Sequence, residues 1–292
     1  MKKHWFLILL TFLFLLTTVF ISNKIVINLN AYRALKNEIA TVLDFDKRIL
    51  TTKEWVPFTD ESTLLVRRAE KLFTAAEIEY QKASVLGVYF GAVVLVFLSG
   101  IWFYFRSKWN RRSALGLALI IASFSLVYLG LQTPFLELEA FSRDIVFEIP
   151  IDVGFYQHTF EKKFEGKVSY FYQNKSVIEL IKLLFTGGNI LVGIVLLLAS
   201  VVFPITKLTL SAWYFIFPKN GFSEKLLKVI KAIGKWSMAD VFVAGIFLAY
   251  FAFTNMNVGV TTNANTLIGL YFYLGFVVLS ICSGYFMLNK KQ

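Results

Sequence analysis

Long apolar runs separated by blocks of charge constrain this 292-residue chain more than any other feature. An α-helix of about 20 apolar residues crosses a hydrocarbon core about 30 Å thick, and several of the runs reach that length. Hydrophobic residues make up 57% of the chain and charged residues only 17%, so the average agrees with the pattern. The sequence therefore predicts an all-α polytopic membrane protein with about six transmembrane helices.

The predicted spans alternate with polar segments. They cover residues 5–21, 85–105, 114–131, a long run from 183 or 189 to 217, 236–253 and 267–288. The first run could be a signal peptide, but no small-x-small cleavage signature precedes Asn23, so we interpret it as an uncleaved anchor. The fourth run exceeds what a bilayer requires, and we expect a tilt or a kink at Pro204, where a backbone hydrogen bond is lost.

Basic clusters beside the spans predict the orientation. The net charge of +11 comes almost entirely from lysines and arginines at residues 2–3, 106–112, 219–235 and 290–291. Such an excess next to apolar runs indicates cytoplasmic loops, not nucleic-acid binding. We therefore predict a multi-pass protein of the inner-membrane type with both termini in the cytoplasm. The basic segment 218–235 is amphipathic and should lie on the inner leaflet surface.

Three segments are then predicted to lie outside. Residues 24–84 have helical periodicity and form two arms divided by Pro57. We favour a spacer whose apolar faces pack on each other over a docking module. Residues 135–180 alternate aromatic and β-branched residues with polar ones, which predicts strands and a small outer sheet. Residues 254–265 are interpreted as a polar outer turn.

The residues that usually carry chemistry are scarce. The lone Cys282 cannot form an intrachain disulfide, and His4 and His158 lie in separate segments, so we predict no metal site and no cofactor. Glu137 and Glu139 are the nearest candidates for catalysis. We assign them to opposite sides of a strand, and on that assignment we expect no catalytic residues and no enzymatic activity.

Lys207 and Asp240 are ionisable residues within predicted spans. A charge at a helix centre costs roughly 2.5–3.5 kcal/mol on insertion scales, so it usually needs a partner or a route to water. Two interpretations remain open. Lys207 snorkels to the inner headgroups while Asp240 caps or anchors the surface helix, or the two form a buried pair that lines a polar route.

Three motifs resemble the paraquat-inducible protein A family: GLQTPFLELEA at residues 130–140, FPITKL at 203–208 and KWSMADVFV at 235–243. The resemblance covers roughly residues 114–290 and implies a four-helix unit. We accordingly divide the chain into an N-terminal two-span region, residues 1–111, and a family-like membrane domain, residues 112–292. The family's cysteine-rich zinc ribbons are not present in this sequence, so zinc is not implied.

The resemblance implies an inner-membrane subunit that exchanges phospholipid or another lipid with a mammalian-cell-entry-type bridge protein. A non-catalytic membrane scaffold or envelope-stress protein is the alternative, and no nucleic-acid partner is implied. Lys207 and Asp240, the candidate intramembrane polar pair, match polar positions of the family's motifs. The further motif and lipid-path candidates are Pro134, Glu137, Glu139, Pro204, Trp236 and Ser237.

The predicted topology can be tested by cysteine accessibility. In intact cells, a membrane-impermeant thiol reagent should not label a Lys228→Cys protein, because the lysine-rich segment around it is predicted to be cytoplasmic. Labelling should appear only after the membrane is permeabilised. A cysteine at Glu70, in the predicted outer segment, is the matched control and should be labelled without permeabilisation. Labelling of position 228 in intact cells would overturn the orientation.

Overall fold

Helices account for most of what the computed structural model describes, namely residues 2–49, 61–106, 111–152, 157–216, 222–236 and 260–288 with the single positions 245, 249 and 252. In chain order the elements are α1 (Lys2–Val42), α2 (Phe45–Ile49), α3 (Glu61–Tyr104), α4 (Arg111–Gln132), β1 (Pro134–Asp152), β2 (Gln157–Ser176), α5 (Val177–Thr186), α6 (Ile190–Leu197), a π-helical turn (Leu198–Val202), α7 (Phe203–Ile216), α8 (Phe222–Trp236), β3 (Thr261–Thr266) and α9 (Ile268–Leu288).

Five of the described helical stretches are long and apolar enough to span a membrane. They are Leu7–Val42, Thr63–Tyr104, Arg112–Gln132, Ile190–Ile216 and Ile268–Met287. The chain is thus a multi-pass membrane protein with mainly helical structure, as predicted. The predicted span at 236–253 lies almost wholly outside the described residues, so the expected total of about six spans stays a prediction.

The first two spans do not end at the membrane surface. Helices α1 and α3, of 41 and 44 residues, continue from the spans into the outer segment predicted for residues 24–84. They run antiparallel, and their contacts progress from the Phe14–Phe97 ring stack, through Tyr32 and Tyr80, to Ile39 and Ala69. No Gly or Pro interrupts residues 22–42 or 61–84, so each span and its outer arm form one helix.

Span four contains an irregularity just before the proline that predicted a kink. The π-helical turn Leu198–Val202 precedes Pro204, which has no N–H to donate to the Ser200 carbonyl four residues earlier. The Tyr273 hydroxyl of α9 lies 3.5 Å from that carbonyl and donates to it. The irregular turn thus lies on the N-terminal side of the proline. The Tyr273 hydroxyl of a neighbouring helix donates to the carbonyl that the proline cannot pair with.

The outer sheet has the strand order β2-β1-β3. Strands β1 and β2 form a long antiparallel hairpin in which Pro134 pairs with Ser176 and Asp152 with Gln157. This agrees with the strands predicted in residues 135–180. The prediction for residues 254–265 was incomplete, because Thr261–Thr266 is a third strand, paired with Leu136–Phe141. Its residues are polar and lack apolar alternation, so only the backbone partner on β1 makes it a strand.

The hairpin bends over the outer arms at a bulge. Asp144 has a φ of 52° and Gly166 a φ of 80°, a left-handed conformation that glycine adopts freely and aspartate tolerates. A Cβ at Gly166 would lie 2.9 Å from a methyl group of Val66 on α3. The buried Arg48 side chain of α2 donates to the carbonyl oxygens of Lys167 at 2.8 Å and Glu165 at 3.0 Å. The hairpin is therefore fastened to the outer end of the helical pair, through α2 and α3.

Glycine permits the close contact between α4 and α9. A Cβ at Gly130 would lie 2.9–3.0 Å from the Cβ, Cα and N atoms of Tyr273, and one at Gly269 would lie 2.4 Å from the Pro134 carbonyl oxygen. Because these neighbours are backbone or next to it, they cannot rotate away. The outer end of α9 is thus held against the junction between α4 and β1.

Replacing Gly130 with alanine should therefore force α4 and α9 apart. We expect Gly130→Ala to lower the unfolding free energy by about 1–3 kcal/mol, the usual effect of overpacking, measured by thermal unfolding of the purified protein in detergent. The matched control is Gly284→Ala on α9, since a Cβ there meets no atom within 4 Å. This control should keep wild-type stability, and equal stability of the two variants would contradict the packing argument.

Candidate functional site

A buried carboxylate joins the outer sheet to the helical arm. Glu137 of β1 is only 3% exposed. Its Oε2 accepts a hydrogen bond from the Tyr32 hydroxyl at 2.8 Å, and its Oε1 accepts one from the Tyr172 hydroxyl at 2.9 Å. The Lys36 ammonium lies 3.2 Å from Oε1. We call these four residues, Tyr32, Lys36, Glu137 and Tyr172, the Glu137 junction.

The positions of the four residues on one helix and two paired strands bring their side chains together. Tyr32 and Lys36 are four residues apart on α1, so both side chains face the same neighbour. Glu137 stands near the start of β1, and Tyr172 stands on the adjacent strand, paired with Glu139. The junction therefore ties one turn of the helical arm to two strands. A buried carboxylate with three donors has its charge compensated and most of its acceptor positions used.

The protonation of the junction follows from burial and charge. Burial, followed by the negative charge of Glu137, raises the pKa of the Tyr172 hydroxyl above its ordinary value. The phenol consequently stays protonated and remains a donor to the carboxylate. A tyrosine in this position acts as a fixed hydrogen-bond donor and is unsuited to serve as a base near neutral pH.

Glu137 and Glu139 lie on the same side of β1, so their assignment to opposite sides was wrong. Side chains two residues apart in a strand project to the same face, and both carboxylates line one cleft. Glu139 is nevertheless engaged separately, because its Oε1 lies 2.5 Å from the Lys167 ammonium. Each carboxylate thus has its own lysine partner.

A separate ion pair joins the arm to the entry of span four. Arg33 of α1 pairs with Glu179 of α5 and donates to the Asn174 carbonyl at 3.3 Å. Glu179 also accepts from the Ser176 N–H in a capping box at the start of α5. Partial burial tends to raise the pKa of Glu179, but the hydrogen bonds from Arg33 and Ser176 and the nearby positive charges lower it below its ordinary value. The carboxylate is thus ionised at neutral pH.

The junction borders a cleft of about 440 Å³ above the outer end of α9. The cleft lies between α1, α3, β1 and β3. Its walls contain both aromatic rings and charged groups, with the Lys36 ammonium 4.8 Å from the Phe73 ring centroid. In the described part of the chain, no group of three or more His, Cys, Asp or Glu residues is placed to hold a metal ion.

The other predicted site residues are spread along the membrane domain. Pro134 is buried at the start of β1, close to the junction, and Pro204 is buried in α7. Lys207 is half-buried on α7, and its Cε lies 4.0 Å from where a Cβ at Gly234 of α8 would stand. Trp236 is the last residue of α8. Ser237 and Asp240 lie outside the described residues, so the Lys207–Asp240 pair stays a prediction.

The sequence interpretation missed Tyr32, Lys36 and Tyr172. Tyr32 and Lys36 fall in a segment interpreted as a spacer with charge mixed around its helices. Nothing in the local sequence distinguishes Lys36 from the other lysines of that segment. The i, i+4 spacing of a phenol and an ammonium was a usable signal for a shared face. The partner on that face, 105 residues away in the case of Tyr32 and Glu137, was not readable from spacing.

Comparison with known proteins supports the resemblance carried by the motifs. Residues 165–288 match the family described as paraquat-inducible protein A. The match runs from β2 to the end of α9 and contains the motifs at residues 203–208 and 235–243. The motif at residues 130–140 lies before the matched region. No curated protein and no solved structure matches the chain. The chain is therefore a multi-pass membrane protein similar to paraquat-inducible protein A over this region.

The Glu137 junction can be tested by removing one charge. Glu137→Gln should lower the unfolding free energy by about 3–5 kcal/mol, because it leaves Lys36 without its carboxylate partner in a buried position. Thermal unfolding in detergent measures the change. The matched control is Glu38→Gln on α1, the helix that carries Lys36; it breaks the exposed Glu38–Arg68 pair at 2.8 Å. Exposed pairs contribute about 0–1 kcal/mol, so equal losses in the two variants would contradict the junction.

Proposed function

We propose that the protein is the membrane subunit of a lipid-transport system in the bacterial inner membrane. It hands lipid between the membrane and a mammalian-cell-entry-type bridge protein, and it performs no catalytic step. The observation that carries the proposal is the match of residues 165–288 to paraquat-inducible protein A. The matched region includes an outer strand, span four with Lys207, the surface helix α8 and the last span.

The shape of the outer part supports a docking role. Beyond Asn23, helix α1 continues to Val42, which at 1.5 Å per residue is about 28 Å above the predicted membrane surface. The hairpin is fastened to this arm by the Glu137 junction, by Arg33 and by Arg48. A bridge protein that docks on the hairpin would thus contact a structure rigidly connected to the spans.

A crevice between α1 and α4 supports lateral access for lipid. It has a volume of about 360 Å³ and lies towards the outer end of α4 and of the predicted first span, residues 5–21, lined by Thr18, Ser22, Phe124, Ser125 and Tyr128 among others. Its walls are mainly apolar, with hydroxyl groups near the outer end. A crevice of this kind at the level of a leaflet suits an acyl chain with a polar group above it.

In the proposed mechanism, Lys207 and Asp240 form a coupled pair that biases the conformation of the spans. Lys207 lies on α7 next to Gly234 of α8, and Asp240 follows four residues after the end of α8 in the sequence. The π-helical turn Leu198–Val202 lies one to two turns before Lys207 on the same helix. Irregular turns of this kind in membrane helices are common at sites that change conformation.

Lipid transport and the role of the pair can be tested together. In a bacterial host lacking the protein, pulse-labelled phospholipid should equilibrate more slowly between inner and outer membranes, and the wild-type gene should restore the rate. Lys207→Met and Asp240→Leu should each lower protein abundance, because an uncompensated buried charge costs about 3–5 kcal/mol. The double variant should recover abundance but should not restore lipid exchange.

Each outcome distinguishes between interpretations. Recovery of both abundance and exchange in the double variant would indicate a purely structural pair, and additive losses would show that the two residues do not interact. Unchanged lipid exchange in the deletion strain would contradict lipid transport and favour the scaffold or envelope-stress alternative. Gly284→Ala, which meets no neighbouring atom, is the matched control and should restore exchange fully.

A further inference from the structure

The cleft beside the Glu137 junction continues into a larger groove. The groove has a volume of about 700 Å³ and lies between the outer arms and the bend of the hairpin. Cleft and groove share Phe73, Arg143 and Lys167 in their walls. Together they form one trough, which runs from Leu267 at the outer end of α9 to Leu43 near the end of the arm.

The two walls of the outer part of the trough differ in chemistry. Apart from Glu70 and Thr74, the helical wall is apolar, with Ile39 and Leu43 of α1 and Val66, Ala69 and Phe73 of α3. The opposite wall is the bend of the hairpin, which contributes Arg143, Asp144 and Lys167. A surface that is apolar along one side and charged along the other is complementary to an amphiphile.

Two cations meet where cleft and groove join. Arg143 and Lys167 are direct cross-strand partners, and like charges in that arrangement are destabilising. Both approach the ring of Phe141, with the Lys167 ammonium 4.2 Å and the Arg143 guanidinium 5.7 Å from its centroid.

Glu139 neutralises only one of the two cations. It pairs with Lys167, whereas Arg143 forms no ion pair among the described residues. Acids also border the groove, but the Asp144 carboxylate is turned to the Gly166 N–H at 3.1 Å and Glu70 is on the helical wall. Where cleft and groove join, Arg143 thus remains available to an anionic group. Phosphate is the group that arginine recognises best.

We propose that this trough binds a phosphate-bearing acyl amphiphile, with its chain along the wall of Ile39, Leu43, Val66 and Ala69 and its phosphate at Arg143 and Lys167. The inference rests on the proposed function and names the place where lipid lies outside the membrane. The helical wall belongs to α1 and α3, which lie outside the region matched to paraquat-inducible protein A. The site is therefore formed jointly by the N-terminal helices and the outer sheet.

Site-specific photo-crosslinking of the full chain in bacterial membranes tests the proposal. A photoreactive phenylalanine derivative replaces Thr74, which is exposed and lines the groove. The control places it at Leu64 on the same helix, 62% exposed and outside the groove lining. In cells labelled with radioactive phosphate or acetate, we expect a labelled adduct at position 74 and not at position 64. Equal labelling at both positions would overturn the site.

The source of the phosphate is distinguished in the same experiment. A lipid adduct carries both labels and loses the phosphate label on phospholipase digestion, whereas inorganic phosphate never carries the acetate label. Arg143→Gln should reduce the adduct about tenfold, the loss expected for one charge-assisted hydrogen bond. Lys163→Gln, an exposed charge on β2 outside the trough lining, should leave it unchanged. An unchanged adduct in Arg143→Gln would overturn the phosphate assignment.

The failure of this site is distinguishable from the failure of lipid transport. If position 74 acquires no lipid while the deletion strain still shows slowed phospholipid exchange, the trough is wrong and the proposed function stands. If exchange is unaffected by deletion but position 74 acquires lipid, the trough binds lipid and the transport role is wrong. The Arg143→Gln and Lys163→Gln proteins should first show the thermal stability of the wild type, so that loss of the adduct cannot come from unfolding.

Discussion

The buried carboxylate of Glu137 is the interaction on which the outer part of the protein depends. A charge that is 3% exposed is tolerable only when donors surround it, and its donors come from a helix and from the neighbouring strand. Without α1 the carboxylate would lose its cation and one hydroxyl donor, and without β2 it would lose the other hydroxyl donor. The requirement to satisfy one carboxylate thus fixes how the helical arm and the sheet are oriented relative to each other.

Within the membrane, close backbone contact between helices determines how they are arranged. Lipid offers helices no hydrophobic advantage in associating, so packing and hydrogen bonding decide which helices meet. Gly130 and Gly269 let α9 approach α4 and the start of β1. Pro204 frees the Ser200 carbonyl, and the Tyr273 hydroxyl donates to it. The sheet is therefore anchored from below by α4 and α9 and from the side by the arm.

These two constraints have a common consequence for function. The sheet contacts α1, α3, α4 and α9, while the arms enclose a trough next to it. A movement of α7 near Lys207 would be transmitted through α4 and α9 to the sheet and hence to the trough. In the proposed lipid transport, these contacts would link the spans to the outer surface.

The sequence by itself determined the membrane class, most span positions, the helical outer segment, the presence of strands in residues 135–180 and the family resemblance, because apolar length, periodicity and local motifs are local signals. Only the tertiary structure decided that spans and arms are continuous helices, that Thr261–Thr266 is a strand and that Glu137 faces Tyr32, Lys36 and Tyr172. These features depend on partners far away in the chain, and no spacing rule encodes such a partner.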